Sequence, residues 1–101
     1  MTPSACGKRW LEDQFFYVGK TEHWNPFAHK RVDLFTFLDA LAFKPTESGI
    51  IGIQYCGRYE MPRKMRHLKE NPMVKLWLQH PTRKLWVLGV LKSEVKMEEF
   101  K

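Results

Sequence analysis

Two apolar segments on either side of a polar turn constrain this chain more than any other feature: "LFTFLDALAF" at 34–43 and "IIGIQYC" at 50–56. Each has the length and composition of a largely buried strand. Between them, "KPTESG" carries Pro45 and Gly49, residues that stop strands and form turns. So short a connection makes the pair an antiparallel hairpin. Yet Asp33, Asp39 and Gln54 stand among the hydrophobic residues. A buried carboxylate or amide must be paired, so these are either ordinary edge residues or part of a site that holds something charged.

The rest of the chain supplies the frame. At 101 residues it suffices for a single domain, 1–101, with one modest core. A content of 44% hydrophobic and 14% aromatic residues places it among folded globular chains rather than disordered ones. The segment "SACGKRWLEDQ" at 4–14 predicts a first helix, with Ser4 as N-cap and Ala5, Trp10 and Leu11 on its apolar face. "FFYVGK" at 15–20 suits a strand, and "HWNPFAHKR" at 23–31 a loop in which Pro26 holds Asn25 extended. After Gly57, "EMPRKMRHLKEN" spaces Met61, Met65 and Leu68 for a helix that Asn71 and Pro72 end, with Pro62 in its first turn. "MVKLWLQH" predicts a second short helix, and "KLWVLGVL" and "EVKMEEF" a closing pair of strands. The expected order, α-β-β-β-α-α-β-β, is an α/β fold with a single mixed sheet flanked by helices.

Charge and cysteine usage narrow the partners. Seventeen Lys and Arg against eleven Asp and Glu give a net charge of +6, a field that either favours polyanionic partners such as nucleic acid or serves general solubility, and composition alone does not choose between the two. Two cysteines, Cys6 and Cys56, form no metal-type spacing or disulfide framework, which points to a reducing, cytoplasmic compartment. The four histidines are scattered and lack the spacing of a zinc site. No stretch is long and apolar enough to span a membrane, and "MTPSACGKRW" lacks the apolar centre of a signal peptide.

Several short pieces, in order, are similar to a known pattern. Trp24-Asn25-Pro26, then Arg31 with Asp33-Leu34-Phe35 and Asp39, then Ile53-Gln54, then Arg63 with Arg66, span most of the chain. Together they resemble small PD-(D/E)XK nuclease-like proteins of bacteria and their viruses, related to archaeal-type Holliday junction resolvases. The resemblance implies a restriction-endonuclease-like αβββαβ core. It further implies Mg²⁺- or Mn²⁺-dependent cleavage of DNA, branched or nicked, and a homodimer that pairs two active sites.

In that superfamily an Asp on the second core strand and a Glu on the third hold the metal, and a Lys two residues beyond the Glu orients the attacking water. Mapped here, Asp39 takes the Asp position, Gln54 the Glu position and Cys56 the Lys position. The implied metal shell is Asp39, the Gln54 amide oxygen and the Tyr55 carbonyl, with Asp33 as an auxiliary ligand if one unbroken strand carries both acids. Gln54 lacks the charge of a Glu, worth about 4 kcal/mol at 4 Å and an effective dielectric near 20 before desolvation. Cys56 offers no cation, so Lys64 or Arg66 on the next helix would restore the missing one. Glu12 stands where a first-helix acid could lie. Arg31, Arg58, Arg63, Lys64, Arg66 and Lys69 form the expected phosphate-binding patch, extended by Lys8, Arg9 and Lys30. Trp10, Trp77 and Trp86 read as core, whereas Trp24 either plugs the sheet end or stacks on a base. Two functions follow as expectations: a metal-dependent DNA endonuclease with an altered motif, or a catalytically degenerate DNA-binding or accessory module.

Overall fold

Among the described residues, each of three α-helices begins with a proline in its first two positions, where the missing N–H is no loss and the fixed φ suits the helix. The computed structural model describes residues 2–21, 23–27 and 29–101, and for 23–25 and 30–32 the strand backbone without side chains. Helix α1, Pro3–Glu12, is capped by Thr2, whose Oγ1 accepts from the Ala5 N–H at 3.2 Å. The N-cap is therefore Thr2 rather than Ser4. Strand β1 is Tyr17–Lys20, followed by β2, His23–Asn25, and β3, Lys30–Val32. Strand β4, Ala40–Phe43, and β5, Ile50–Gly57, form the expected hairpin. A 3₁₀ turn, Arg58–Glu60, leads into α2, Met61–Glu70. Asn71 then accepts the Met73 N–H at 2.9 Å and caps α3, Pro72–Trp77. Strands β6, Arg83–Leu91, and β7, Glu94–Phe100, complete the chain.

Five strands make one mixed sheet in the order β1-β4-β5-β6-β7. Only β5 and β6 run parallel, because the α2–α3 crossover joins them. The expected α/β class and helix-flanked sheet are therefore present, with the α-β-β-β-α-β order running through α1, β1, β4, β5, α2 and β6. Between β1 and β4 the chain departs from expectation. Residues 23–31, expected as a loop, hold β2 and all but the last residue of β3, which pair as an antiparallel ribbon.

Helices cover both faces, which is why β5 reads as an almost unbroken apolar run. On one face Leu11 of α1 packs in a cluster with Phe16, Ala40, Ala42, Ile51 and Ile53. On the other, Met61 and Leu68 of α2 and Val74 of α3 pack with Phe37, Cys56 and Leu85. Trp10, Trp77 and Trp86 pack partly buried at the margins of these clusters. Among the described residues no helix is long and apolar enough to cross a membrane.

The strand expected over 34–43 begins only at Ala40. Leu34 and Leu38 instead exchange backbone hydrogen bonds of 3.1 and 3.0 Å around a tight reversal, with Phe35 and Thr36 at φ of 53° and 74°. Such backbone is costly for non-glycine residues, and burying Phe37 and Leu38 beneath α2 and α3 offsets it. The reversal takes Asp33 out of the hairpin and leaves Asp39 at its mouth.

The turn between β4 and β5 has its own constraint. Gly49 has a φ of 92°, and a Cβ there would stand 2.5 Å from the Thr82 carbonyl oxygen. That same carbonyl accepts the Ile50 N–H at 2.8 Å and so docks β5 at the start of β6. Gly49→Ala should cost about 1–3 kcal/mol through left-handed strain and displaced backbone. Urea unfolding checks this, and an unchanged midpoint would contradict it.

Candidate functional site

Asp39 lies one residue before β4, across from the carboxyl-terminal half of β5, and is only 8% exposed. Its backbone still belongs to the sheet: its N–H reaches Ile53 O at 2.9 Å, and its carbonyl accepts from Thr21 N–H at 3.1 Å. The side chain extends this bonding. Oδ2 accepts the Tyr55 backbone N–H at 2.8 Å and the Gln54 side-chain N–H at 3.2 Å. A carboxylate only accepts, so Gln54 must present the nitrogen end of its amide. Asp39 and Gln54 thus satisfy each other inside the sheet.

Three grooves meet around this pair. The largest, about 650 Å³, is lined by Asp39, Tyr55, Cys56, Arg58, Tyr59 and Lys64, with Ser4 of α1 opposite. It opens at the carboxyl ends of the parallel strands β5 and β6, where open α/β sheets commonly place ligands. A smaller groove of about 150 Å³ joins Asp39 and Tyr55 to Lys8 and Lys20. A third, about 130 Å³, holds Asp33, Gln54, Lys64 and His67. Lys64 therefore borders both the Asp39 groove and the Gln54 groove.

Helical phase explains that placement. Met61 and Leu68 bury one face of α2, and Lys64 and His67 share the flank beside it. Arg66 and Lys69 are exposed and line none of the grooves around Asp39. Arg63 pairs with Glu60 at 3.3 Å, and Arg58 with Glu94 at 3.9 Å. Both are exposed or half-exposed pairs of small energetic weight. Of the expected basic patch on this segment, the fold gathers Arg58 and Lys64 at the groove.

Cys56 lies on its floor, 4% exposed. Burial pushes its thiol above the ordinary value, Lys64 pulls it down, and Glu60 and Asp39 push it up. The net direction is upward, so the thiol stays protonated near neutral pH and is no nucleophile. Lys64 lines the same groove and is near enough to Cys56 to act on its charge.

Other expected residues are not brought here. Asp33 shares a groove with Gln54 and Lys64 but not with Asp39, because the 33–38 reversal separates the two acids. Glu12, at the far end of α1, lines an apolar groove with Phe15 and Phe43. The side chains of Trp24, Lys30 and Arg31 lie outside the described residues. Conversely, the expected set omitted Ser4, Lys20 and Tyr59. Lys20 alone carried a signal, as a charge at the end of an aromatic strand.

The donors suit a divalent cation poorly. Oδ2 of Asp39 already accepts two hydrogen bonds, and the Gln54 amide turns its nitrogen toward it. Among the described residues no three His, Cys, Asp or Glu side chains converge. A hard cation with near-octahedral demands would find one carboxylate here, and to add the Gln54 oxygen it would have to turn the amide over and break the Gln54–Asp39 bond.

A single substitution separates the two arrangements. Gln54→Glu replaces that hydrogen bond with two adjacent carboxylates that cannot both ionise. Stability at pH 7 should fall by about 1.5–3 kcal/mol. The raised carboxyl pKa makes the loss shrink as pH falls toward 5, since the folded state then holds a proton the pair needs. Mn²⁺ should raise the melting temperature of this variant and leave the parent unchanged. Equal stability of the two proteins at pH 7 without cations would contradict the pairing. No family model, curated protein or solved structure matches the chain, so the site is defined by its own geometry.

Proposed function

We propose that this protein is a nucleic-acid-binding module on a nuclease-like fold, with the hydrogen bond from the Gln54 amide to the Asp39 carboxylate in place of a bound cation. That bond, 3.2 Å long and buried, carries the reading. In a metal site both positions would turn oxygens toward an ion; here one group donates and the other accepts, so the bond joins the two side chains without one. Beside it, Arg58 and Lys64 line an open groove at the carboxyl ends of β5 and β6. Cations in such a groove contact phosphates and release counterions. The charge of +6 supplies a favourable long-range field. DNA is the partner this chemistry suits, and the resemblance to junction-cutting proteins points to the same polymer.

A second reading keeps catalysis. Asp39 and Lys64 line one groove, a carboxylate and a cation of the types that orient water and phosphate in nucleases. Cleavage of branched, nicked or single-stranded DNA in Mg²⁺ or Mn²⁺, abolished by Asp39→Asn, would establish it. Intact substrates under the same conditions leave binding as the function.

The binding reading makes a quantitative demand. The logarithm of DNA affinity should fall linearly with the logarithm of salt concentration, and Lys64→Gln should reduce that slope by about 1. Lys69→Gln, away from the groove, should leave it unchanged. Fluorescence anisotropy over a salt series measures both slopes. A salt-independent affinity, or equal effects of the two substitutions, would contradict the assignment.

A further inference from the structure

Tyr59 is an aromatic residue that the core does not use. It sits in the 3₁₀ turn between β5 and α2, 84% exposed, and lines the same groove as Asp39, Arg58 and Lys64. Phe15, Tyr17, Phe35 and Phe43, also exposed, line other grooves. Tyr17 and Phe43 stack on each other with ring centroids 5.4 Å apart and line an apolar groove beside β1. Phe35 borders a further pocket near α3. Among the described residues no ring or cation lies against the face of Tyr59.

Its backbone, by contrast, is firmly held. Gly89 of β6 lets the turn come close: a Cβ there would stand 3.2 Å from Arg58 Cα. Immediately after the turn, Met61 is buried in the core. The ring is thus presented from a fixed base into a groove whose lining carries two cations, Arg58 and Lys64, and two acids, Asp39 and Glu60. Glu60, the acid beside it, is paired with Arg63 at 3.3 Å.

We propose that Tyr59 stacks on an unpaired nucleobase while Arg58 and Lys64 hold the flanking phosphates, so the groove selects single-stranded or splayed nucleic acid over continuous duplex. The inference rests on the nucleic-acid reading of this groove and adds the form of the substrate. A continuous duplex keeps its base faces stacked on one another, so only an unpaired base offers one to the ring. Base–aromatic stacking sets the expected size, about 5- to 150-fold in affinity for one base.

The test uses the full chain and a single-stranded oligonucleotide of about 12 nucleotides, within the range of known single-strand sites. A 2-aminopurine at its centre reports stacking, and the duplex of the same sequence serves as comparison. Tyr59→Ala should weaken single-strand binding by about 5- to 150-fold and remove the quenching of 2-aminopurine. Its effect on the duplex should stay within about twofold, and Tyr59→Phe should retain both affinity and quenching because the π-face remains. Thermal unfolding of each variant confirms that the exposed substitution leaves the fold intact. If Tyr59→Ala weakens both forms equally, or neither, while Lys64→Gln still lowers the salt slope, the stacking role is wrong and the phosphate groove stands. If the parent binds neither form at low salt, the stacking role and the nucleic-acid reading fail together.

Discussion

One acceptor organises the site: Oδ2 of Asp39, which takes the Tyr55 backbone N–H and the Gln54 amide at once. The chain reverses at 33–38, so β4 cannot run on beside β5, and the carboxylate meets the Tyr55 N–H at the hairpin's open end. Because a buried charge without partners is expensive, the arrangement of Asp39, Gln54 and Tyr55 is set together or not at all. Secondary elements then bring in the rest. Helix α1 supplies Ser4 and Lys8, β1 supplies Lys20, and the turn after β5 supplies Arg58, Tyr59 and, one helical turn later, Lys64.

The balance of charge around that acceptor separates binding from catalysis. A second carboxylate at position 54 would repel Asp39 unless a cation lay between them; an amide instead donates to it. The amide at position 54 therefore stabilises Asp39 by donating to it, with no cation needed between the two side chains. Lys64 adds a cation from the helix, where it can meet a phosphate without depending on the pair. A groove that offers cations and pairs its acid with a neighbouring amide is chemically coherent as the proposed binding surface.

Much of the frame was legible in the sequence, for stated physical reasons. Pro45 and Gly49 mark the hairpin turn, Pro62 marks the start of α2 and Asn71 with Pro72 its end, and the continuous apolar run of β5 marks a buried strand. Asp39 and Gln54 stood out because polar residues inside such runs need partners. The reversal at Phe35 and Thr36 did not stand out, since neither residue type favours positive φ and only the burial of Phe37 and Leu38 makes it worthwhile. The basic helix was legible as basic, but only its phase against the sheet separates Lys64 from Arg66 and Lys69. Tyr59 left no mark at all, because a lone exposed aromatic in a connection has no period to betray it.

The central claim is that Asp39 and Gln54 complete each other, and a crystal structure grown with excess Mn²⁺ tests it most directly. The account predicts that the Gln54 amide nitrogen keeps its bond to Asp39 Oδ2 with no ion between the two side chains. An Mn²⁺ ion coordinated by both the Asp39 carboxylate and the Gln54 amide oxygen would contradict it.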